Sequence, residues 1–297
     1  MPLILPSNYH GISQIEQSNI VQWISDKSIN NNIHAKSLRI GIVNIMPLGH
    51  EYELNLLNSL GFTNFIVQPI WIRLKSHTYK TWPDDYLDKY YITYDEAKDQ
   101  GHLDGLIITG APIEHLDFEE VTYWQEIVNI ITDARESCPS TLGLCWAGMA
   151  MAYLAGVKKV VFEKKLFGVF ELENQIPNHP VMGALDDKFV CPQSRNAGMD
   201  SLDMQKAESR GDLNLLAHSD ETGYTIYETP DHKQLIHLGH PEYNSGRLAY
   251  EAKRDSTDPG VPPISNFDFE HPTNVWKMHR HTFYQQWLNY CNSAVKK

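Results

Sequence analysis

Cysteine is scarce in this chain, and the four present among 297 residues (Cys138, Cys145, Cys191 and Cys291) form no CxxC pair and no regular spacing. Neither a disulfide framework nor a zinc site is indicated, and a reducing cytoplasm fits best. Positive charge is short as well: 25 Lys+Arg against 37 Asp+Glu leave a formal charge of −12, with no basic cluster. That balance argues against a nucleic-acid or anionic-membrane partner and points to small-molecule partners. No apolar run approaches the roughly 18 residues that a membrane span needs, and residues 1–13 carry no basic segment followed by an apolar one. The chain also lacks G-x-x-x-x-G-K-[ST], H-E-x-x-H and G-x-G-x-x-G. Nucleotide hydrolysis, zinc hydrolysis and dinucleotide redox chemistry thereby lose their best evidence, and neither a metal nor a resident cofactor is expected. No internal repeat appears, and no Pro-, Gly- or Ser-rich linker marks a domain boundary.

What is present is an alternation of buried strands and helical patterns. Residues 38–46 (LRIGIVNIM) form an apolar, β-branched run of the length of a buried parallel strand, ended by Pro47. A helical pattern over 53–60 stops at Gly61. Residues 64–72 (NFIVQPIWI) make the next strand, where Pro69 suggests a bulge or an edge position. Residues 79–100 read as a loop plus a short helix. A strand over 103–109 then leads into Gly110-Ala-Pro-Ile-Glu114, and an amphipathic helix over 118–137 carries Trp124, Ile127, Val128 and Ile131 at helical spacing. This order predicts an α/β fold with a mostly parallel sheet covered by helices on both faces. Downstream, 157–173 suits strands or a hairpin, and Cys191-Pro-Gln-Ser194-Arg195 is expected in a loop. Short strands follow over 213–218, 224–227 and 234–238. A C-terminal helix places Trp276, Phe283, Trp287 and Tyr290 on one stripe. Residues 1–37 are polar, with a modest helical pattern around 15–24 and a patch at Asn30-Asn31-Asn32. They read as a peripheral arm before a single domain over 38–297.

The stretch Ser140-Thr-Leu-Gly-Leu-Cys145-Trp-Ala-Gly148 has the pattern of a nucleophile elbow, an apolar run that breaks at a cysteine and restarts as a helix. Small neighbours are needed at so sharp a turn, and Gly143, Ala147 and Gly148 supply them. The helix starting at Trp146 directs its free N–H groups and positive dipole end at the sulfur, which favours thiolate and can hold a developing oxyanion. Cys145 is thus placed to attack an acyl carbon, the alternative being a buried structural cysteine. A thiol nucleophile needs a base, and the base an orienting group. The strand ending at Leu238 delivers Gly239-His240-Pro-Glu242-Tyr243, with an imidazole and a carboxylate two residues apart. The other histidine-rich spot, His279-Arg280-His281, resembles a metal site only loosely and is expected to be a solvated helix face.

Taken together and in order, several of these residues resemble the homoserine O-acyltransferase (homoserine O-succinyltransferase) family. They are Asn44-Ile-Met-Pro47, Asp104-Gly-Leu-Ile-Ile-Thr-Gly-Ala-Pro112, Tyr123-Trp124, Cys145-Trp-Ala147, Gly168-Val-Phe170, Pro192-Gln-Ser-Arg195, Gly239-His-Pro-Glu-Tyr243 and Trp287-Leu-Asn-Tyr290. The resemblance implies a fold similar to class I glutamine amidotransferases (flavodoxin-like) and a Cys-His-Glu triad of Cys145, His240 and Glu242. It implies a ping-pong reaction through an acyl-cysteine thioester, and suggests a homodimer. Lys165, Ser194 and Arg254 look like substrate-binding residues. The cations among them could pair with the amino acid's carboxylate or with polar groups of acyl-CoA. The N–H of Trp146 and one from the 112–114 loop would form the oxyanion hole, to which Pro112 has no N–H to give.

In this family, a glycine two residues after Gly-Ala-Pro is similar to succinyl users and a glutamate there to acetyl users. This chain has Glu114, whose carboxylate would repel a succinyl carboxylate and leave acetyl untouched. Two departures stand out. Leu48-Gly-His-Glu-Tyr-Glu53 replaces the usual lysine and Thr-Glu pair, and Lys277-Met-His-Arg280 replaces Arg-Ser-His-Gly. Both are expected to shape the amino-acid side of the pocket, which puts L-serine beside L-homoserine as acceptor. The expectation is therefore acetyl transfer from acetyl-CoA to one of these hydroxyls, in methionine or cysteine synthesis. The alternatives are succinyl-CoA as donor, a glutaminase-like amidohydrolase, and a catalytically silent amino-acid or CoA sensor.

Overall fold

In the computed structural model the described residues are 2–18, 20–29, 33, 37–262 and 264–294. The central strands are β3 (Ser37–Val43), β4 (Ile66–Arg73), β6 (Gly105–Ile108), β7 (Thr141–Leu144) and β12 (Gln234–His237). They lie side by side in the order β4-β3-β6-β7-β12, all parallel. Because successive side chains point to opposite faces, each strand feeds two cores. Ile40, Ile42, Leu142 and Leu144 pack under α2 (Gly49–Gly61), α8 (Ser245–Asp255) and α9 (Lys277–Ala294). Val43, Leu106 and Ile108 face α5 (Trp124–Ser137), α6 (Trp146–Leu154) and α7 (Ser201–Arg210). Both faces are covered, as an all-parallel stretch requires.

Beyond β12 the same sheet turns antiparallel, through β11 (Gly223–Glu228), β10 (Asn214–Ser219), β8 (Lys159–Asn174) and β9 (Lys188–Met199). The segment Cys191–Arg195, expected in a loop, is instead the middle of β9, paired with Leu166–Phe170 of β8.

Described residues of the first 37 reach the sheet. β1 (Leu3–Leu5) pairs with β4 and with β2 (Trp23–Ser25), so this segment extends the sheet edge, and Leu3, Ile4 and Leu5 are buried. The helix α1 is Ile12–Ser18, shorter than its sequence pattern because Ile24 belongs to β2. The Asn30-Asn31-Asn32 patch lies outside the described residues.

Pro69 sits within a strand that has neighbours on both sides, yet its missing donor disrupts nothing. Val67 donates outward to the Pro2 carbonyl at 3.3 Å, so alternation turns the Pro69 nitrogen outward too. There it meets the gap between the β1 pairing at Val67 and that of β5 (Ile92–Thr93) at Ile72. The region 79–100 holds α3 (Tyr86–Tyr90), β5 and α4 (Tyr94–Asp99). Among the described residues, no helix is long and apolar enough to cross a membrane.

Candidate active site

The ends of four adjacent parallel strands converge. Met46 and Pro47 follow β3, Gly110 to Glu114 follow β6, Cys145 follows β7 and His240 follows β12. All of these except Ile113 line one pocket of about 270 Å³. Ligands in open α/β sheets bind at such carboxyl ends.

Cys145 has φ 48° and ψ −113°, a left-handed conformation that a residue with a side chain adopts only under constraint. The constraint is visible on both sides of the turn. Cys145 donates its N–H to the His237 carbonyl at 3.0 Å. A Cβ on Gly143 would lie 2.8 Å from the Met151 sulfur, and one on Gly148 only 2.4 Å from Ile236. Gly110 also approaches closely, since a Cβ there would be 3.1 Å from that of Cys145. The sulfur is held at a bend between strand and helix, 3 % of the residue exposed, with its opening toward the pocket.

His240 and Glu242 join it. His240 donates Nδ1–H to Glu242 Oε1 at 2.7 Å, because the carboxylate can only accept, and its Nε2 is thereby left for the sulfur. Burial by itself would lower the His240 pKa. The charges of Glu242 and Cys145, with hydrogen bonds to both, outweigh it and hold the imidazole well above the ordinary histidine range. The ring stacks on Tyr243, with centroids 4.3 Å apart. Its backbone is fixed by a bond from His240 N–H to the Pro192 carbonyl at 2.9 Å.

The three expected substrate-binding residues also reach the pocket. The β8–β9 ladder is irregular between Val161 and Leu166, and that irregular stretch carries Glu163 and Lys165 to the pocket. Lys165 Nζ donates to Asp255 Oδ2 at 2.6 Å, and Arg254 grips both Asp255 oxygens at 2.5 and 2.8 Å. Burial opposes the charge on Asp255, but these hydrogen bonds and cations hold its carboxyl down at about 2. Ser194 donates to Glu251 Oε2 at 2.6 Å, while Tyr243 and Arg247 donate to Oε1, each at 3.0 Å. Arg247, Glu251, Arg254 and Asp255 share one face of α8. Their spacing of four, seven and eight residues was the signal that sequence reasoning took up only at Arg254. Glu114 is buried in the same pocket, 4 % exposed. Behind it lies Arg195, fully buried and bonded to Gln193, the Ala197 carbonyl and the Thr222 carbonyl. Burial, the largest influence, brings its pKa down to about 10, against the opposing pull of Cys145, Tyr227 and Glu114, so it keeps its charge at neutral pH. In the 112–114 loop, Ile113 already donates its N–H to the Ala111 carbonyl at 2.9 Å, which removes it from the oxyanion-hole candidates.

Two expectations are corrected. Among the described residues, neither 48–53 nor 277–280 lines the pocket. They surround Glu242 instead: Tyr52 donates its hydroxyl to Glu242 Oε1 at 2.7 Å, and Arg280 feels the Glu242 charge. His279, Arg280 and His281 are buried rather than solvated, because α9 packs this turn inward against Phe189 and Phe62. His279 belongs to a cluster with Cys191 and His237 whose ligating atoms lie within 4.8 Å of one another. His237 Nδ1 accepts the Gly239 N–H at 3.1 Å, so its Nε2–H faces His279 Nε2 at 3.2 Å, a neutral hydrogen-bonded relay. A second cluster holds Glu228 between His179, 3.0 Å away, and His232, hydrogen-bonded to it at 2.6 Å.

The family model described as homoserine O-succinyltransferase matches residues 2–296. The chain belongs to that family. A homoserine O-acetyltransferase of Desulfovibrio desulfuricans is 35% identical over 98% of this chain and 93% of its own length. One of Bacteroides fragilis is 34% identical over 98% and 95%. In fold, this member of the homoserine O-succinyltransferase family is similar to a glutamine amidotransferase of Thermotoga maritima. The TM-score is 0.51 at 10% identity, covering 88% of this chain and 99% of that one. It is similar also to a glutamine amidotransferase of Methylobacillus flagellatus, with TM-score 0.51 at 13% identity, covering 88% and 94%. The class I amidotransferase-like architecture expected from the sequence is the one observed.

Proposed function

We propose that this protein transfers an acetyl group from acetyl-CoA to the side-chain hydroxyl of L-homoserine through a thioester on Cys145, as a cytoplasmic enzyme of methionine synthesis. Cys145 Sγ attacks the thioester carbonyl, the carbon–sulfur bond to CoA breaks, and the CoA thiolate takes the proton held on His240. His240 then receives the proton of the acceptor hydroxyl as its oxygen attacks the acetyl carbon and Cys145 departs. Glu242 keeps the imidazole oriented and charge-balanced in both halves. The Trp146 N–H at the start of α6 is the oxyanion donor nearest the sulfur in sequence. Lys165 and Arg254, preset by Asp255, suit the amino acid's carboxylate, and Ser194 with Glu251 suits its polar end.

The observation that carries the choice of donor is Glu114, a buried carboxylate in the Cys145 pocket. A succinyl carboxylate beside it would be a second buried negative charge, whereas acetyl carries none. For the acceptor, the departures that suggested L-serine lie behind the triad, and relatives named homoserine O-acetyltransferase favour L-homoserine. The test is thiol release from acetyl-CoA and succinyl-CoA with each acceptor. The expected result is acetyl transfer to L-homoserine, and a Glu114→Gly variant that gains succinyl turnover. Unchanged acetyl preference in that variant would remove Glu114 from the account, and glutamine hydrolysis without thiol release would replace the transferase reading altogether.

A further inference from the structure

The loops Met46–Pro47 and Ala111–Pro112 have two sides. One lines the Cys145 pocket, and the other lines a neighbouring cavity of about 460 Å³. That volume falls within the range of small-molecule sites. The two spaces share a wall and differ in chemistry. Around Cys145 the lining is charged, with Lys165, Arg247, Glu251, Arg254 and Asp255 tied into ion pairs. The neighbouring cavity is lined by Ile45, Val121, Trp82 and Tyr123, with Thr78 and Thr122 among its polar groups and the exposed Lys80 and Glu120 on its wall.

We propose that this second cavity receives the pantetheine arm of the acyl-CoA donor, an inference that rests on the transferase reading above. An acyl-CoA is a small acyl group, then a long neutral arm of methylenes and amides, then a phosphate-rich nucleotide. Laying that arm over the Lys165–Asp255 and Arg247–Glu251 pairs would strip water from charges and give them nothing in return. The aromatic cavity accepts methylenes favourably, its threonine hydroxyls can bond amides, and Lys80 offers a cation to the phosphates. The arrangement also suits a two-step reaction. The departing thiol leaves by one side of the shared wall, while the amino acid enters the charged side without displacing it.

The test compares donors that carry different amounts of the arm. In Thr122→Trp, which fills the cavity, kcat/KM for acetyl-CoA should fall at least tenfold. Acetylation of Cys145 by ethyl thioacetate, which has no arm, and kcat/KM for L-homoserine should stay within twofold. In Lys80→Glu, an exposed change that leaves packing intact, kcat/KM should fall several-fold for acetyl-CoA and not for acetyl-pantetheine, which lacks the nucleotide. If both variants handle acetyl-CoA like the wild type, the cavity assignment is wrong. If the wild type forms no acetyl-cysteine with any of the donors, the transferase reading falls and takes the cavity with it. Should Thr122→Trp fail to fold, Lys80→Glu with its two donors still decides.

Discussion

Two thiol–imidazole pairs stand with their histidines three residues apart in the chain, and only one of the pairs faces a pocket. Cys145 and His240 stand at strand ends facing a pocket, with Glu242 bonded to the imidazole. Cys191 and His237 sit one layer behind, fully buried, 3.9 Å apart, with the Gly239 N–H on the ring nitrogen that carries the carboxylate in the first pair and His279 on the nitrogen that faces the sulfur. The electrostatics diverge accordingly. Burial would lower both histidines, but Glu242 and Cys145 pull His240 well up, whereas His237 stays far below its ordinary value with His279 and His240 adding to the effect. Burial pushes the Cys191 thiol well up, and the nearby Glu242 charge pushes the same way. A thiol beside an imidazole is therefore not in itself a nucleophile. An orienting carboxylate and an opening make the difference.

The sharpest way to break this comparison is to remove each sulfur. Cys145→Ala should lower acetyl transfer by on the order of 10³-fold or more, while Cys191→Ala should keep it within about threefold and lose stability of about 1 kcal/mol. Thiol-release rates and a denaturant melt read both, and comparable losses of activity would erase the distinction.

Next in size is Glu242→Gln, which makes the reactive pair resemble the inert one. We expect kcat/KM to fall about a hundredfold. Removing the carboxylate's charge should also bring the His240 pKa down, which an NMR titration of its ring protons follows.

Tyr52→Phe removes the second donor to Glu242 Oε1 and leaves the pocket lining unchanged. A fall of about tenfold in kcat, with little change in KM, is expected for the loss of a charge-assisted hydrogen bond. An effect on KM alone would instead make Tyr52 part of substrate binding.

The smallest effect probes the inert pair by pH. His237 and His279 are buried neutral, with pKa values depressed below 6.5 by burial, His279 to about 3. The unfolded chain then binds more protons than the folded one between these values and 6.5, so stability falls as pH drops through that window. The expected loss is about 1.4 kcal/mol per histidine for each pH unit below roughly 6.5. Unfolding free energies at pH 7.5 and 5.5 measure it, and His279→Leu should remove about half of these histidines' contribution to the slope.

The elbow, the parallel strands and the Gly239-to-Tyr243 turn were legible in the sequence because each depends on local rules. A buried parallel strand is an unbroken apolar run, and a sharp strand-to-helix turn demands glycine and alanine beside it. The buried fate of His279-Arg280-His281 was not legible, because a polar triplet on a helix reads as solvated until its neighbours are known. Likewise the 1–37 segment looks peripheral in composition, and only pairing of β1 with β4 brings it into the sheet.

The fold class, the family and a strand-to-helix turn at Cys145 could thus be read from the chain alone, since periodicity and turn chemistry are properties of neighbouring residues. The tertiary structure alone decided which thiol faces a pocket and which is sealed behind it. It decided too that Tyr52 supports Glu242 from 190 residues away, and that Asp255 presets Lys165 across 90. Those outcomes depend on contacts between distant segments, and a linear pattern carries no record of what packing will bring together.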